Sequence, residues 1–210
     1  MPGRKVPEET RREDILRAAY DVAARHGVEA LTLRAVAERA GVSHGTVLFH
    51  FRRRDELAVM LLERVLYATA TLRIPDSVGR LTRPSERLLA LMRAEMDRLA
   101  GEPRHFRLFL EYWTLGVRSA AIRRKVAAAL DAYRGGFRGL AEAVVEAEHQ
   151  SSARRRPPAS DDGLPSAEGI AAVAVSLVHG CALQAVIDPK GFDVERHFGT
   201  AARMVEQLSP

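Results

Sequence analysis

Residues 31 to 57, LTLRAVAERAGVSHGTVLFHFRRRDEL, restrict the fold of this chain more than any other stretch. Thr32 stands where its hydroxyl can accept a free amide from the first turn of a short helix, Arg34 to Ala40. Gly41 suits the tight turn that follows, because a residue without Cβ takes positive φ at little cost. Ser43 is placed to cap a second short helix through Gly45, Thr46 and Phe49. Val36, Ala37, Ala40, Val42 and Val47 are the apolar positions that two such helices need to pack across one turn, with Ala37 small where they cross. This is the logic of a helix-turn-helix, whose second helix enters the DNA major groove.

The rest of the chain reads as helix. From Glu9 to His26, Ile15, Leu16, Ala19, Tyr20, Val22 and Ala23 recur at helical spacing, and Gly27 stops the run. This first helix completes a three-helix core. A fourth helix runs from Arg54 to about Thr71, with Leu57, Met60, Leu61, Val65 and Leu66 on its apolar face. Pro75, Gly79 and Pro84 then break the pattern. Further helices are expected over Ser85 to Ala100, Pro103 to Leu115 and about Ser119 to Glu148. Gly135, Gly136 and Gly139 in the last of these imply either a kink or a close helix crossing. HQSSARRRPPASDDGLPS, residues 149 to 166, reads as a long exposed loop, and Met1 to Glu8 as a mobile basic arm. Ser166 to Pro189 is apolar almost all round and needs a partner on more than one side. The final helix, with Val194, Phe198, Ala201, Ala202, Val205 and Leu208 at helical spacing, would join it in a four-helix bundle about a two-fold axis.

The pattern T-L-R-x-V-A-x-x-A-G-V-S-x-G-T-V-x-F-H-F-x-x-R-x-E-L, Thr32 to Leu57, resembles the N-terminal DNA-binding domain of the TetR family of bacterial repressors. The resemblance implies an all-α protein in two parts. Residues 1–54 would be a three-helix DNA-binding domain and residues 55–210 a larger helical domain for ligand binding and dimerisation. It implies a homodimer, joined through the last two helices, that binds palindromic double-stranded operator DNA and leaves it when a small-molecule inducer binds. The segment A-L-Q-A-V-I-D-P and the helix after it resemble, more loosely, the C-terminal pair in the choline-responsive repressors of that family. Carried over by position, Thr32, Thr46, His50 and Arg54 fall where phosphate contacts are usual, with Ser43 at the helix cap. Arg34, His44, Gly45 and Phe49 fall where base edges are read. Arg34 can fork onto guanine, and Phe49 can press on a thymine methyl. Leu48 stands where many members have tyrosine, so a phosphate contact is expected to be missing there. The plainer alternatives are surface charge for Arg34 and Arg54, and a solvated or capping ring for His44 and His50.

A ligand pocket between the long helices would draw on Phe106, Phe109, Tyr112, Trp113, Tyr133, Phe137, His179 and Gln184, although for any one of them ordinary core packing is the favoured role. The net charge of +5 fits a nucleic-acid partner. The single cysteine, Cys181, excludes an intramolecular disulfide framework, and its spacing from His179 argues against a metal site. No cofactor is implied. Neither a glycine-rich phosphate loop nor a nucleophile elbow is present, which argues against an enzyme. A DNA-binding dimer without an inducer stays open. MPGRKVPEETRRED lacks the apolar core of a signal peptide, and no run is expected to reach the roughly 20 apolar residues of a membrane helix. Cytoplasmic placement is the expectation, with no membrane partner.

Overall fold

The computed structural model describes residues 7–155 and 166–207. Among these residues the secondary structure is helical without a strand, so the fold class is all-α. The elements are α1 (Glu8–His26), a 3-10 turn (Val28–Ala30), α2 (Leu33–Ala40), α3 (His44–His50), α4 (Arg54–Ala70), α5 (Asp76–Gly79), α6 (Pro84–Gly101), α7 (Pro103–Arg118), α8 (Ala120–Arg155), α9 (Ala167–Ile187) and α10 (Val194–Gln207).

The chain divides into two compact units. The first gathers the described residues up to Thr69 together with Arg104–Ala129. The second gathers Ala70–Pro103 and the described residues from Leu130 onward. Compactness thus groups α4 and α7 with the N-terminal helices.

In the first unit, α1 turns Ile15, Leu16, Ala19, Val22 and Ala23 inward. Val36, Ala37, Val47 and Phe51 are buried on the helix-turn-helix side, where α1 packs on α2 and α2 on α3, and Leu57, Leu61, Leu62 and Val65 of α4 are equally buried. Burying a Leu or Val side chain removes it from water at a gain of roughly 1.5–3 kcal/mol. That gain, rather than helix propensity, makes seven- and eight-residue helices such as α3 and α2 persist.

In the second unit, α6 packs chiefly on α9. Leu88, Leu91, Met92, Met96 and Leu99 of α6 are buried, as are the small Ala171, Ala174 and Ala182 of α9. Arg93 pins α10. Its guanidinium pairs with Glu195 and Asp97 and lies 5.4 Å from the centre of the Phe198 ring.

Three expectations change here. First, α8 runs unbroken through Gly135, Gly136 and Gly139 and extends to Arg155, so residues 149–155 are helix rather than loop. A Gln150–Glu146 hydrogen bond of 2.8 Å spans one turn of that extension, and arginine and alanine are good helix formers. The remainder of the expected loop, with Arg156, and residues 1–6 of the expected arm lie outside the described residues. Of the three glycines, Gly136 makes the close approach, because a methyl there would overlap the Leu72 side chain. Second, the segment broken by Pro75 and Gly79 carries a short helix, α5, anchored by the buried Val78. Third, α9, at 21 residues, is long and apolar enough to cross a membrane by length and composition. Its seven buried residues, among them Ala171, Val178 and Cys181, show why: core packing on one side demands the same composition.

Candidate nucleic-acid interface

The turn between α2 and α3 is built from backbone groups. Thr32 Oγ1 accepts from Ala35 N at 3.1 Å and caps α2. At its other end Gly41 adopts φ +65°. Gly41 N donates to Glu38 O at 3.2 Å and Val42 N to Ala37 O at 3.0 Å, the paired bonds of a Schellman ending. Ser43 Oγ then accepts from Thr46 N at 3.1 Å and lies 2.9 Å from Thr46 Oγ1, which orients that hydroxyl. Each cap contributes about 1 kcal/mol.

With α3 held this way, Ser43, His44, Gly45, Leu48 and Phe49 are exposed, and Thr46 and His50 are half-buried. Phe49 is 72% exposed, an unusual position for a large apolar ring, and it meets the His50 ring edge-on at 5.2 Å. Thr32 and Arg34 are exposed as well. Val47 is fully buried, which makes it core. The structure therefore presents hydroxyls, imidazoles, a guanidinium and an aromatic ring from one short helix and its neighbour.

Arg54, expected at a phosphate, also bonds within the protein. Its Nε donates to Leu31 O at 2.7 Å and its Nη2 to Val28 O at 3.0 Å. The guanidinium is thus directed at the chain entering α2, and the pattern that suggested a phosphate contact equally fits this internal brace. Arg12 is a second brace that sequence reasoning missed. It lies 4.8 Å above the Phe51 ring and donates to His50 O at 3.5 Å, a cation at the C-terminal end of α3. Arg39 of α2 pairs with Asp21 of α1.

Residues 15–61 match the family described as bacterial regulatory proteins, tetR family. A helix-turn-helix-type transcriptional regulator in the dhlA 5′ region of Xanthobacter autotrophicus is 28% identical over 199 residues, covering 91% of this chain and 88% of that protein. The crystal structure of a transcriptional regulator from Rhodococcus sp. RHA1 superposes with a TM-score of 0.66 at 25% identity, covering 94% of this chain and 95% of that one.

Residues 15–61 carry the DNA-binding domain of the TetR family, and the relatives matched along the chain are transcriptional regulators. A further TetR-like neighbour in fold is a transcriptional regulator from Saccharomonospora viridis solved in complex with choline. It is 17% identical with a TM-score of 0.66, covering 94% of this chain and 96% of that one.

The eight ligand candidates fall into two groups and an outlier. Phe106, Phe109, Tyr112 and Trp113 lie along α7 in the first unit. Phe109 stands 6.0 Å from Phe106 and 5.5 Å from Trp113 between ring centres. Tyr112 donates its hydroxyl to Ala58 O at 2.9 Å, and burial pushes its phenol well above the ordinary range. Tyr133, Phe137 and His179 cluster in the second unit, with Tyr133 stacked on His179 at 5.2 Å and edge-on to Phe137 at 5.5 Å. Gln184 is exposed and bonds back to Gly180 O on its own helix.

Glu95 is the group that sequence reasoning missed. It is 1% exposed, accepts from Tyr133 Oη at 2.7 Å and pairs with Arg98 Nη2 at 2.6 Å. A signal was available: Glu95 sits where α6 places its inward residues, between Leu91 and Met92 on one side and Leu99 on the other. Burial, and then the nearby Arg98 charge, lower the His179 pKa to about 4, so the ring is neutral near pH 7.

Proposed function

We propose that this protein is a repressor that binds a palindromic operator as a homodimer and is released by a small molecule. Residues 1–54 would serve DNA and residues 55–210 the ligand and the second subunit. The carrying observation is the exposed face of α3, capped by Ser43 and presenting His44, Gly45 and a 72%-exposed Phe49, beside the exposed Thr32 and Arg34 of α2. A ring held out in water has no folding role to offset its exposure, whereas a thymine methyl would cover it. Thr46 and His50 supply phosphate contacts, and Arg54 serves by holding the chain that enters α2.

Dimerisation through α9 and α10 is supported by Val173, Leu183, Ile187 and Met204, which are 37–73% exposed on those two helices. The ligand would be an organic molecule with an apolar or aromatic part, of the kind that a ring cluster such as Tyr133, Phe137 and His179 receives. Proteins of this fold have been solved with choline and with stearoyl-CoA. The chain's relatives are transcriptional regulators, and we read this one as a cytoplasmic non-enzyme as well.

Selection of duplexes from a random pool by the purified protein, at two salt concentrations, tests the reading. An enriched palindrome with a steep salt dependence is expected. Salt-sensitive binding without an enriched sequence would instead identify a general DNA binder and overturn the operator.

A further inference from the structure

We propose that Glu111, on α7 and far outside the helix-turn-helix, is a positioning residue for DNA recognition, holding the turn from which α2 starts. This rests on the DNA-binding reading above and names a determinant of it.

The turn in question runs from Gly27 to Leu31 and delivers Thr32, the cap of α2. Val28 N donates to Glu111 Oε2 at 2.7 Å. Val28 O is held from the other side by Arg54 Nη2, and Leu31 O by Arg54 Nε. A carboxylate from α7 and a guanidinium from α4 therefore grip the amide and the carbonyl of one residue. Bonds to ionised groups are the stronger class, so this grip outweighs an ordinary turn bond.

Gly27 makes the close approach feasible. It takes φ +86°, and a Cβ there would stand 3.3 Å from Glu111 Oε2, tighter than ordinary contact. Arg107, one turn earlier on α7, donates to Ala24 O at 2.6 Å and so fixes the C-terminal end of α1. Thus α7 secures the end of α1 and the turn after it. The Thr32 cap and Arg34 follow that turn, and the Schellman ending of α2 passes its position to α3.

Glu111 points at a backbone amide inside the unit, so it reads no base and no phosphate. It also shapes a groove of about 380 Å³ with His26, Glu29 and Arg118, which leaves the carboxylate half-buried and its bond open to water. The expected effect is accordingly a moderate one, on specific binding alone.

The test uses the full chain and the duplex that the wild-type protein enriches from the random pool, with a scrambled duplex as control. Glu111→Ala is expected to weaken binding to the enriched duplex about tenfold. Binding to the scrambled duplex and the salt slope should stay unchanged, because no phosphate contact is removed. Glu111→Gln keeps an oxygen for Val28 N and should restore most of the affinity. Glu111→Asp keeps the charge but falls short and should not, which supplies a folded comparison if the alanine variant unfolds. Hydrogen exchange at the Val28 amide should quicken in the Ala and Asp variants and stay slow in the Gln variant. The proposal is overturned by wild-type affinity in both the Ala and Asp variants, by equal losses on both duplexes, or by a salt slope reduced by about one. If the wild-type chain enriches no duplex, the DNA-binding reading itself has failed and this proposal falls with it. Val28 exchange would then report only on the turn.

Discussion

In the first unit, Arg54, Arg107 and Glu111 aim their charges at backbone groups close to the surface, while in the second unit Glu95 is carried to 1% exposure and met there by Arg98 and Tyr133. The two arrangements have different consequences. A charge that braces a backbone carbonyl near water can be lost with little desolvation penalty, because water replaces it. A carboxylate in the core has no such substitute. Removing its partner leaves a charge where solvent cannot follow, even though the intact pair adds little net stability. The first unit therefore depends on its ionic groups for geometry, the second for the integrity of its core.

The sharpest way to break this comparison is Arg98→Ala. It strips Glu95 of its neutralising partner, and a loss of about 3 kcal/mol is expected, the lower end for a broken buried pair because Arg98 itself is partly exposed. Urea unfolding at pH 7 measures it. A change below about 1 kcal/mol would place this pair with the surface braces and erase the contrast.

Comparable in size is a pH effect from His179. Its folded pKa, about 4, lies below the ordinary 6.5, so between those values the unfolded chain binds a proton that the folded chain refuses. Stability from this group is present above pH 6.5, declines as pH falls, and levels off below about 4, with a total loss of roughly 3 kcal/mol. Comparing acid unfolding of the wild-type protein and a His179→Phe variant isolates it. Identical pH profiles would mean that the ring is solvated.

The smallest expected effect sharpens the other side. Ser43→Ala removes the α3 cap and should cost about 1 kcal/mol in thermal unfolding. It should also weaken DNA binding, since the Ser43–Thr46 hydroxyl contact is lost with it. Unaltered unfolding together with unaltered DNA binding would show that α3 is held from behind, by Arg12 and Phe51, rather than by its own cap.

Much of the first unit could be read from residue order because its determinants are local. A capping hydroxyl, a glycine at the turn and a second capping hydroxyl lie within a dozen positions, and each acts on amides three or four residues away. The expected caps at Thr32 and Ser43 and the stop at Gly27 stand where those residues put them. Arg54 was harder, because exposure and charge look alike whether an arginine faces phosphate or a carbonyl 23 positions back. Glu95 was missed although its place on the apolar face of α6 was visible, since its partner Tyr133 comes from a distant helix. The aromatic residues expected to share a pocket are divided between the units because aromatic composition says that a residue is buried, not with which neighbours.

Taken alone, the sequence determined the helical class and the helix-turn-helix with both of its caps, through interactions within one or two helical turns. Only the tertiary structure decided that α7 grips the turn into α2, that Arg12 and Arg54 are braces, and that Glu95, Arg98, Tyr133 and His179 form one buried cluster. Apart from the Glu95–Arg98 pair within α6, those contacts join residues tens of positions apart. Their existence depends on how helix faces pack, and no local periodicity records which face meets which.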